Sequence, residues 1–169
     1  MNTIPSSPRS FALFLLAVIP WIMGAGMMAI VSSAHAADPK KQAGIPEDAV
    51  YFNGKWYKAY IDGSGWKASQ VKCQRVGGRL AMIPNQEAQA FLKKLANGRK
   101  LNIGASKERS DVWKWIDGST MTFQAWDRGQ PNDVKGNENY AAMGPKGGWY
   151  DVADSTDWTQ GYICEWKAN

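Results

Sequence analysis

From Phe11 to Val31 the chain is almost wholly apolar, and this stretch decides how much of the 169 residues is left to fold. Arg9 supplies a charged start, and the run is followed by Ser-Ser-Ala-His-Ala-Ala, in which Ala34 and Ala36 form a small-x-small cleavage site. That layout predicts a secretory signal peptide over residues 1–36. The run is also long enough to span a bilayer, with Pro20, Gly24 and Gly26 interrupting it as a helix. Retention as an anchor is therefore the alternative to cleavage, and the only route by which the chain would meet a membrane. Cleavage after Ala36 leaves 37–169, a length that suits one domain with one core. The expected location is secreted, periplasmic or at the cell surface.

The residue counts exclude several chemistries. The one histidine, His35, falls in the leader, so the remaining chain has no Ser-His or Cys-His pair and no His-ligated metal. Removing the leader takes only Arg9 from a net charge of +5. The other basic residues, among them Lys55, Lys58, Lys93, Lys94, Arg99 and Lys100, are scattered among acids and apolar residues. Scattered charge describes a solvated surface, not a nucleic-acid groove. Two cysteines exist, Cys73 and Cys164, and in an exported chain two cysteines more often pair than stay reactive.

Residues 37–48, polar with two prolines, read as a linker, and a domain over 49–169 follows. Two β-rich runs flank Asn53-Gly54, a strong hairpin signal. A helix is expected over 66–76, stopped by Gly77-Gly78, although its apolar spacing is not clean. After the short strand "RLAMI", Asn85 caps a second helix with Ala88, Phe91, Leu92, Leu95 and Ala96 on one face. Beyond Leu101 the pattern turns to short β pieces: "LNIGA", a hairpin in "VWKWIDGSTMTFQAW" about Asp117-Gly118, then "NYAAM", "GGWYDVA" and "QGYICEW". Two early helices and irregular β structure make the class α+β. Of nine tryptophans all but Trp21 follow the leader. Such an aromatic set is expected mainly in the core, with Trp149 and Trp158 as the candidates for stacking on a sugar because they flank the loops.

Seven segments in this order, Trp66-x6-Cys73, "GGRLAMI" at 77–83, "NIGA" at 102–105, "VWKWIDGSTMTFQAW", "QPN", "ENY" with "WYD", and "YICEW", resemble the C-type lectin-like domain over nearly all of 51–166. The resemblance implies a double-loop α+β fold with two helices, small antiparallel sheets and a long ligand-binding loop. It also implies a disulfide from the first helix to the last strand, here Cys73 to Cys164. The family's second disulfide, which braces the long loop, falls at Tyr140 and about Asp154. That brace is missing, and packing, polar contacts or a cation must replace it.

In the sugar-binding members a calcium ion in the long loop bridges to vicinal sugar hydroxyls. Carried onto this chain, the resemblance assigns Gln130 and Asn132 as amide ligands and Glu138 and Asp151 as carboxylate ligands, with Pro131 cis. The same four residues and Trp149 form the implied carbohydrate site. Calcium is a hard cation taking about 6–8 oxygens, which suits this set. Tyr150 stands where the family has a ligating Asn, so the set is one donor short. The triplet Gln-Pro-Asn is a hybrid of the family's mannose-type Glu-Pro-Asn and galactose-type Gln-Pro-Asp, and reads as neither.

Two readings follow. One is an exported carbohydrate-binding module, weakly calcium-dependent through the long loop. The other is a calcium-independent module of the same fold that binds protein or another surface ligand, with Lys135 neutralising Glu138 or Asp151. An enzyme is not expected: Glu138 and Asp151 are the only suspect pair of carboxylates for glycoside hydrolysis, and both are accounted for as cation ligands.

Overall fold

The computed structural model describes residues 38–107 and 112–169; the expected signal peptide lies outside the described residues. The chain opens with a hairpin, β1 (Val50–Phe52) and β2 (Lys55–Tyr60), turned at Asn53 and Gly54 with φ of 44° and 82°. Both turn residues lie in the left-handed region, as a two-residue hairpin loop of this type requires.

Helix α1 (Trp66–Arg75) follows, then β3 (Arg79–Leu80) and α2 (Gln86–Ala96). The apolar spacing of α1 is irregular because its buried face is Trp66, Ser69 and Cys73, and the Ser69 hydroxyl donates to the Gly65 carbonyl at 2.8 Å. Asn85 caps α2 as expected: its side-chain oxygen accepts the Ala88 amide at 2.9 Å, satisfying one of the donors a helix start leaves open.

The remaining strands are β4 (Leu101–Ser106), β5 (Lys114–Trp115), β6 (Tyr140–Met143), β7 (Trp149–Val152) and β8 (Gly161–Lys167). The hairpin expected across 112–126 is smaller than its sequence suggests. Only Lys114–Trp115 forms a strand, paired with β4, and a single bridge joins Lys114 to Thr120. The following residues are drawn off the ladder by core packing, with Met121 buried and Phe123 and Trp126 laid against Trp149.

The strands lie in the order β1-β2-β8-β4-β6-β7, with β3 beside β8 and β5 beside β4. All neighbours are antiparallel except β4 and β8, which run parallel at Leu101–Gly161 and Asn102–Tyr162. Side chains alternate across a strand, so β8 sends Tyr162, Cys164 and Trp166 to one face and Ile163 to the other. Helix α1 covers the first face through Trp66 and Cys73, and α2 covers the second through Ala88, Leu92 and Ala96. The expected disulfide between Cys73 on α1 and Cys164 on β8 is present, with Cα atoms 5.6 Å apart.

Residues 38–48 differ from a free linker. Ile45 is buried with Trp56 and Trp166, Lys41 lies 4.9 Å over the Trp56 ring, and the Gln42 side chain reaches the Lys167 carbonyl. One apolar residue among polar neighbours is enough to lay this stretch against the sheet.

Two tight approaches fix the sheet around the site. A Cβ on Gly104 would stand 2.5 Å from the Leu80 carbonyl oxygen, and one on Gly161 1.9 Å from that of Tyr60. Both positions therefore need glycine for space, not for backbone freedom. On the α2 face, Glu165 is 2% exposed, yet fully engaged: it accepts from Lys55 Nζ at 2.9 Å, Arg79 Nε at 2.8 Å and the Met82 amide at 3.1 Å. A buried carboxylate is tolerable only with partners of this kind.

Candidate functional site

The long loop leaves Trp126, passes through residues 127–139 and re-enters the sheet as β6. Its backbone turns sharply twice: the Gln130–Pro131 peptide bond is cis, and Asp133 and Lys135 have φ of 47° and 63° around a short 3-10 turn at Val134–Gly136. The cis bond at Pro131 is the one the resemblance implies.

The loop is closed chiefly by Asp151. This carboxylate, 3% exposed on edge strand β7, accepts the Asn132 amide at 3.0 and 3.1 Å and the Asp133 amide at 2.7 Å. Within the loop, Glu138 Oε2 accepts the Val134 amide at 2.8 Å, and the Glu138 amide donates to Asp133 Oδ1 at 3.0 Å. Asp133 Oδ2 in turn accepts Lys107 Nζ at 2.8 Å. Lys107 and the Glu138 amide hold the Asp133 carboxyl below the usual carboxylate range. Among the described residues Lys107, just past β4, is the cation paired with Asp133, whereas Lys135, expected to neutralise Glu138 or Asp151, is exposed in the 3-10 turn.

The missing second disulfide is replaced by two contacts. Tyr140 stacks on Trp66 with ring centroids 4.7 Å apart, and Asp154 accepts the Lys67 amide at 3.0 Å at the start of α1. A carboxylate at a helix N-terminus is favoured by the open amides and the dipole there.

Gln130, Asn132, Glu138 and Asp151 all line one cavity of about 170 Å³, together with Tyr150 and Trp158. The fifth residue assigned to the carbohydrate site, Trp149, does not join them. Its ring is wholly buried, its indole N–H donates to Gln89 Oε1 at 2.9 Å, and Trp115, Phe123 and Trp126 pack edge-on around it. No sugar can stack on it, and this assignment is corrected: the rings of Trp115, Phe123 and Trp126 enclose Trp149 in the core on the α2 face. Trp158, the other stacking candidate, is half-buried at the cavity, 5.0 Å from the Tyr150 ring and with Lys100 4.7 Å over its own.

Tyr150 is turned to a separate task. Its hydroxyl donates to Asp127 Oδ2, while Asp127 Oδ1 accepts the Arg128 amide at 2.8 Å. This hydrogen bond lowers the Asp127 carboxyl below its ordinary range and raises the Tyr150 phenol above its own. Asp127, Asp133 and Lys107 are thus structural members of the site that the motif assigns no role. No local pattern marks them: Lys107 and Asp133 are 26 residues apart in the chain.

For a cation, the donors fit in kind. Among the described residues no group of three or more His, Cys, Asp or Glu side chains is placed to hold a metal ion, so a cation here would need amide oxygens beside the carboxylates. The cavity offers two amides and two carboxylates, the oxygen set that hard cations take. One of these atoms asks for a partner: Gln130 Oε1 is buried and accepts no hydrogen bond.

Comparison with known proteins agrees with this fold. The family model of the lectin C-type domain matches residues 62–166. Human C-type lectin domain family 4 member G is 29% identical over 128 residues, covering 73% of this chain and 43% of the relative. Human C-type lectin domain family 4 member E is 32% identical over 128 residues, covering 71% of this chain and 58% of the relative. The chain thus spans about half the length of these curated relatives. The crystal structure of the cow C-type carbohydrate-recognition domain of CD23, obtained in the presence of GlcNAc2Man3 oligosaccharide, superimposes with a TM-score of 0.69 at 30% identity, covering 74% of this chain and 97% of that one. With its fold, disulfide and loop arranged as described, the chain belongs to the C-type lectin domain family.

Proposed function

We propose that this protein is an exported, non-enzymatic carbohydrate-binding module whose long loop takes a glycan through a weakly held calcium ion. One observation carries the reading: Gln130, Asn132, Glu138 and Asp151 line a single cavity in which the buried Gln130 Oε1 has no donor. An acceptor left without a donor costs about 1–3 kcal/mol, and a hard cation would satisfy it. The lectin names of the relatives and the oligosaccharide named with the cow CD23 domain support the sugar as ligand.

Gln130 and Asn132 would hold the ion by amide oxygens and Glu138 and Asp151 by carboxylates. Bound calcium supplies a coordination point for neighbouring sugar hydroxyls. The chain's own part is to keep the four donors together: Asp151 fixes the Asn132–Asp133 backbone, and Asp133 fixes Glu138. With Tyr150 bonded to Asp127 in place of a fifth donor, affinity falls at the weak extracellular end, a Kd of roughly 10⁻⁴–10⁻³ M.

The calcium-independent reading has one observation in its favour. Both Asp151 oxygens already accept backbone amides, so the loop closes without an ion. Calorimetric titration with calcium, and glycan binding with calcium and then chelator, separate the two. Glu138→Gln removes one charge at constant shape and is expected to weaken calcium at least about tenfold. Tyr150→Asn offers a further amide and is expected to tighten it, the opposite direction. If the wild type shows no heat at millimolar calcium, Tyr150→Asn gains none and glycan binding ignores chelator, the calcium-independent module is the answer.

A further inference from the structure

Asp133 is held at three points on three different segments. Its Oδ2 accepts Lys107 Nζ at 2.8 Å, its Oδ1 accepts the Glu138 amide at 3.0 Å, and its own amide donates to Asp151 Oδ2 at 2.7 Å. Lys107 reaches it from the sheet. Ser106, the last residue of β4, pairs with Tyr140, and the Lys107 amide donates to the Asn139 carbonyl at 2.9 Å. The lysine side chain is 17% exposed and its ammonium lies 5.9 Å from the Trp113 ring centroid. The stem therefore leaves a fixed backbone and ends on the loop.

The loop needs such a tie. Asp133 links two other acids through backbone amides: its own amide donates to Asp151 on β7, and its carboxylate accepts the Glu138 amide. The long loop has no disulfide, since Cys73–Cys164 joins α1 to β8, and its turn must be held by contacts of this kind. Asp151 ties the loop to β7 on one flank, and Lys107 ties it to the end of β4 on the other.

We infer that Lys107 is a positioning residue for the ligand loop: its ammonium acts as a tethered cation that holds Asp133, and through Asp133 it sets Glu138 and the closure on Asp151 before any ligand arrives. A donor set fixed in advance loses less freedom on binding. The calcium consequence rests on the proposed function above; the bracing itself does not.

The test uses the full chain with Lys107→Met, which keeps the stem and removes the charge, and Lys107→Arg, which keeps the charge. Amide hydrogen exchange is measured first in chelator. The Asn132, Asp133 and Glu138 amides are expected to exchange about tenfold or more faster in Lys107→Met, with recovery in Lys107→Arg and no change in α2 or β8. Calcium titration follows, with an expected loss of about tenfold in affinity for Lys107→Met and recovery for Lys107→Arg. Unchanged loop exchange in Lys107→Met overturns the inference, as does a rise spread evenly over the domain. Calcium affinity that is measurable in the wild type and the same in Lys107→Met also overturns it. If the wild type binds no calcium while the loop amides respond as expected, the bracing stands and the cation reading is what fails.

Discussion

A tryptophan beside a ligand loop can serve the ligand or the core, and Trp149 shows how the two are told apart. Its neighbour Asp151, two residues on, faces the same side of β7, and both are buried. Asp151 meets the loop backbone there, whereas Trp149 meets four aromatic or amide side chains. Trp149→Ala should therefore cost stability, about 3–5 kcal/mol for a buried large aromatic, as read from the denaturant midpoint. Trp158→Ala, at a half-buried position on the cavity, should leave that midpoint nearly unmoved and change glycan binding instead. A stable Trp149→Ala that lost only glycan binding would return the ring to the sugar site. At this scale the motif residues Gln130, Asn132, Glu138 and Asp151 were legible because their order in the chain carries them. Asp127, Asp133 and Lys107 were not, because their roles depend on contacts between segments that no local pattern records.

Among the elements, those with local causes match their sequence. Helix α2 has its apolar face, its Asn85 cap and its left-handed Asn97 end at φ 48°, and the first hairpin has Asn53-Gly54. Where the cause is tertiary, the match fails. The strand expected on either side of Asp117-Gly118 shrinks to Lys114–Trp115 because Met121, Phe123 and Trp126 are claimed by the core. Gly104 belongs to the tertiary class as well. Its amide donates to the Ala81 carbonyl at 2.8 Å and its carbonyl accepts the Ile116 amide at 2.7 Å, so the backbone threads between neighbours on both sides. Gly104→Ala would force a methyl against the Leu80 carbonyl, and overpacking of this kind costs about 1–3 kcal/mol. Chemical denaturation measures it. A neutral Gly104→Ala would mean that β3 can move aside without loss.

For the molecule as a whole, two buried tyrosines point to an alkaline limit. Tyr57 and Tyr162 are each 3% exposed. Burial, with the Asp62 charge second, pushes the Tyr162 phenol from 10.0 up to about 12, and burial with the Glu165 charge pushes Tyr57 further in the same direction. A folded-state pKa above the unfolded one favours the neutral phenol in the fold. The contribution is complete below pH 10 and is lost as pH rises through the folded value. Unfolding midpoints should therefore fall between about pH 10 and 12, and tyrosinate absorbance should lag the count of tyrosines until the fold opens. Full ionisation with an unchanged midpoint would contradict this. The α+β class and the order of elements were legible at this scale because hydrophobic periodicity and turn residues are local. The parallel β4–β8 seam was not, because it joins strands far apart in the chain.

The strand order also sets how the domain bears tension. Residues ahead of β1 feed one edge of the sheet, and the ligand loop hangs from β6 and β7 at the other. A pull between the residues ahead of β1 and a ligand in the loop would cross the sheet, with the Trp66–Tyr140 stack and the Lys67–Asp154 hydrogen bond as side links from α1. The Cys73–Cys164 link lies wholly on the upstream side, between α1 and β8. The β4–β8 seam is held by the Leu101–Gly161 and Asn102–Tyr162 pairs, with Trp66 Nε1 reaching the Ile103 carbonyl at 2.7 Å and Asn102 reaching Ser64 at 3.0 Å as its cross-ties. Under such a load the β4–β8 seam is expected to part first, because the disulfide spans α1 and β8 and does not cross it.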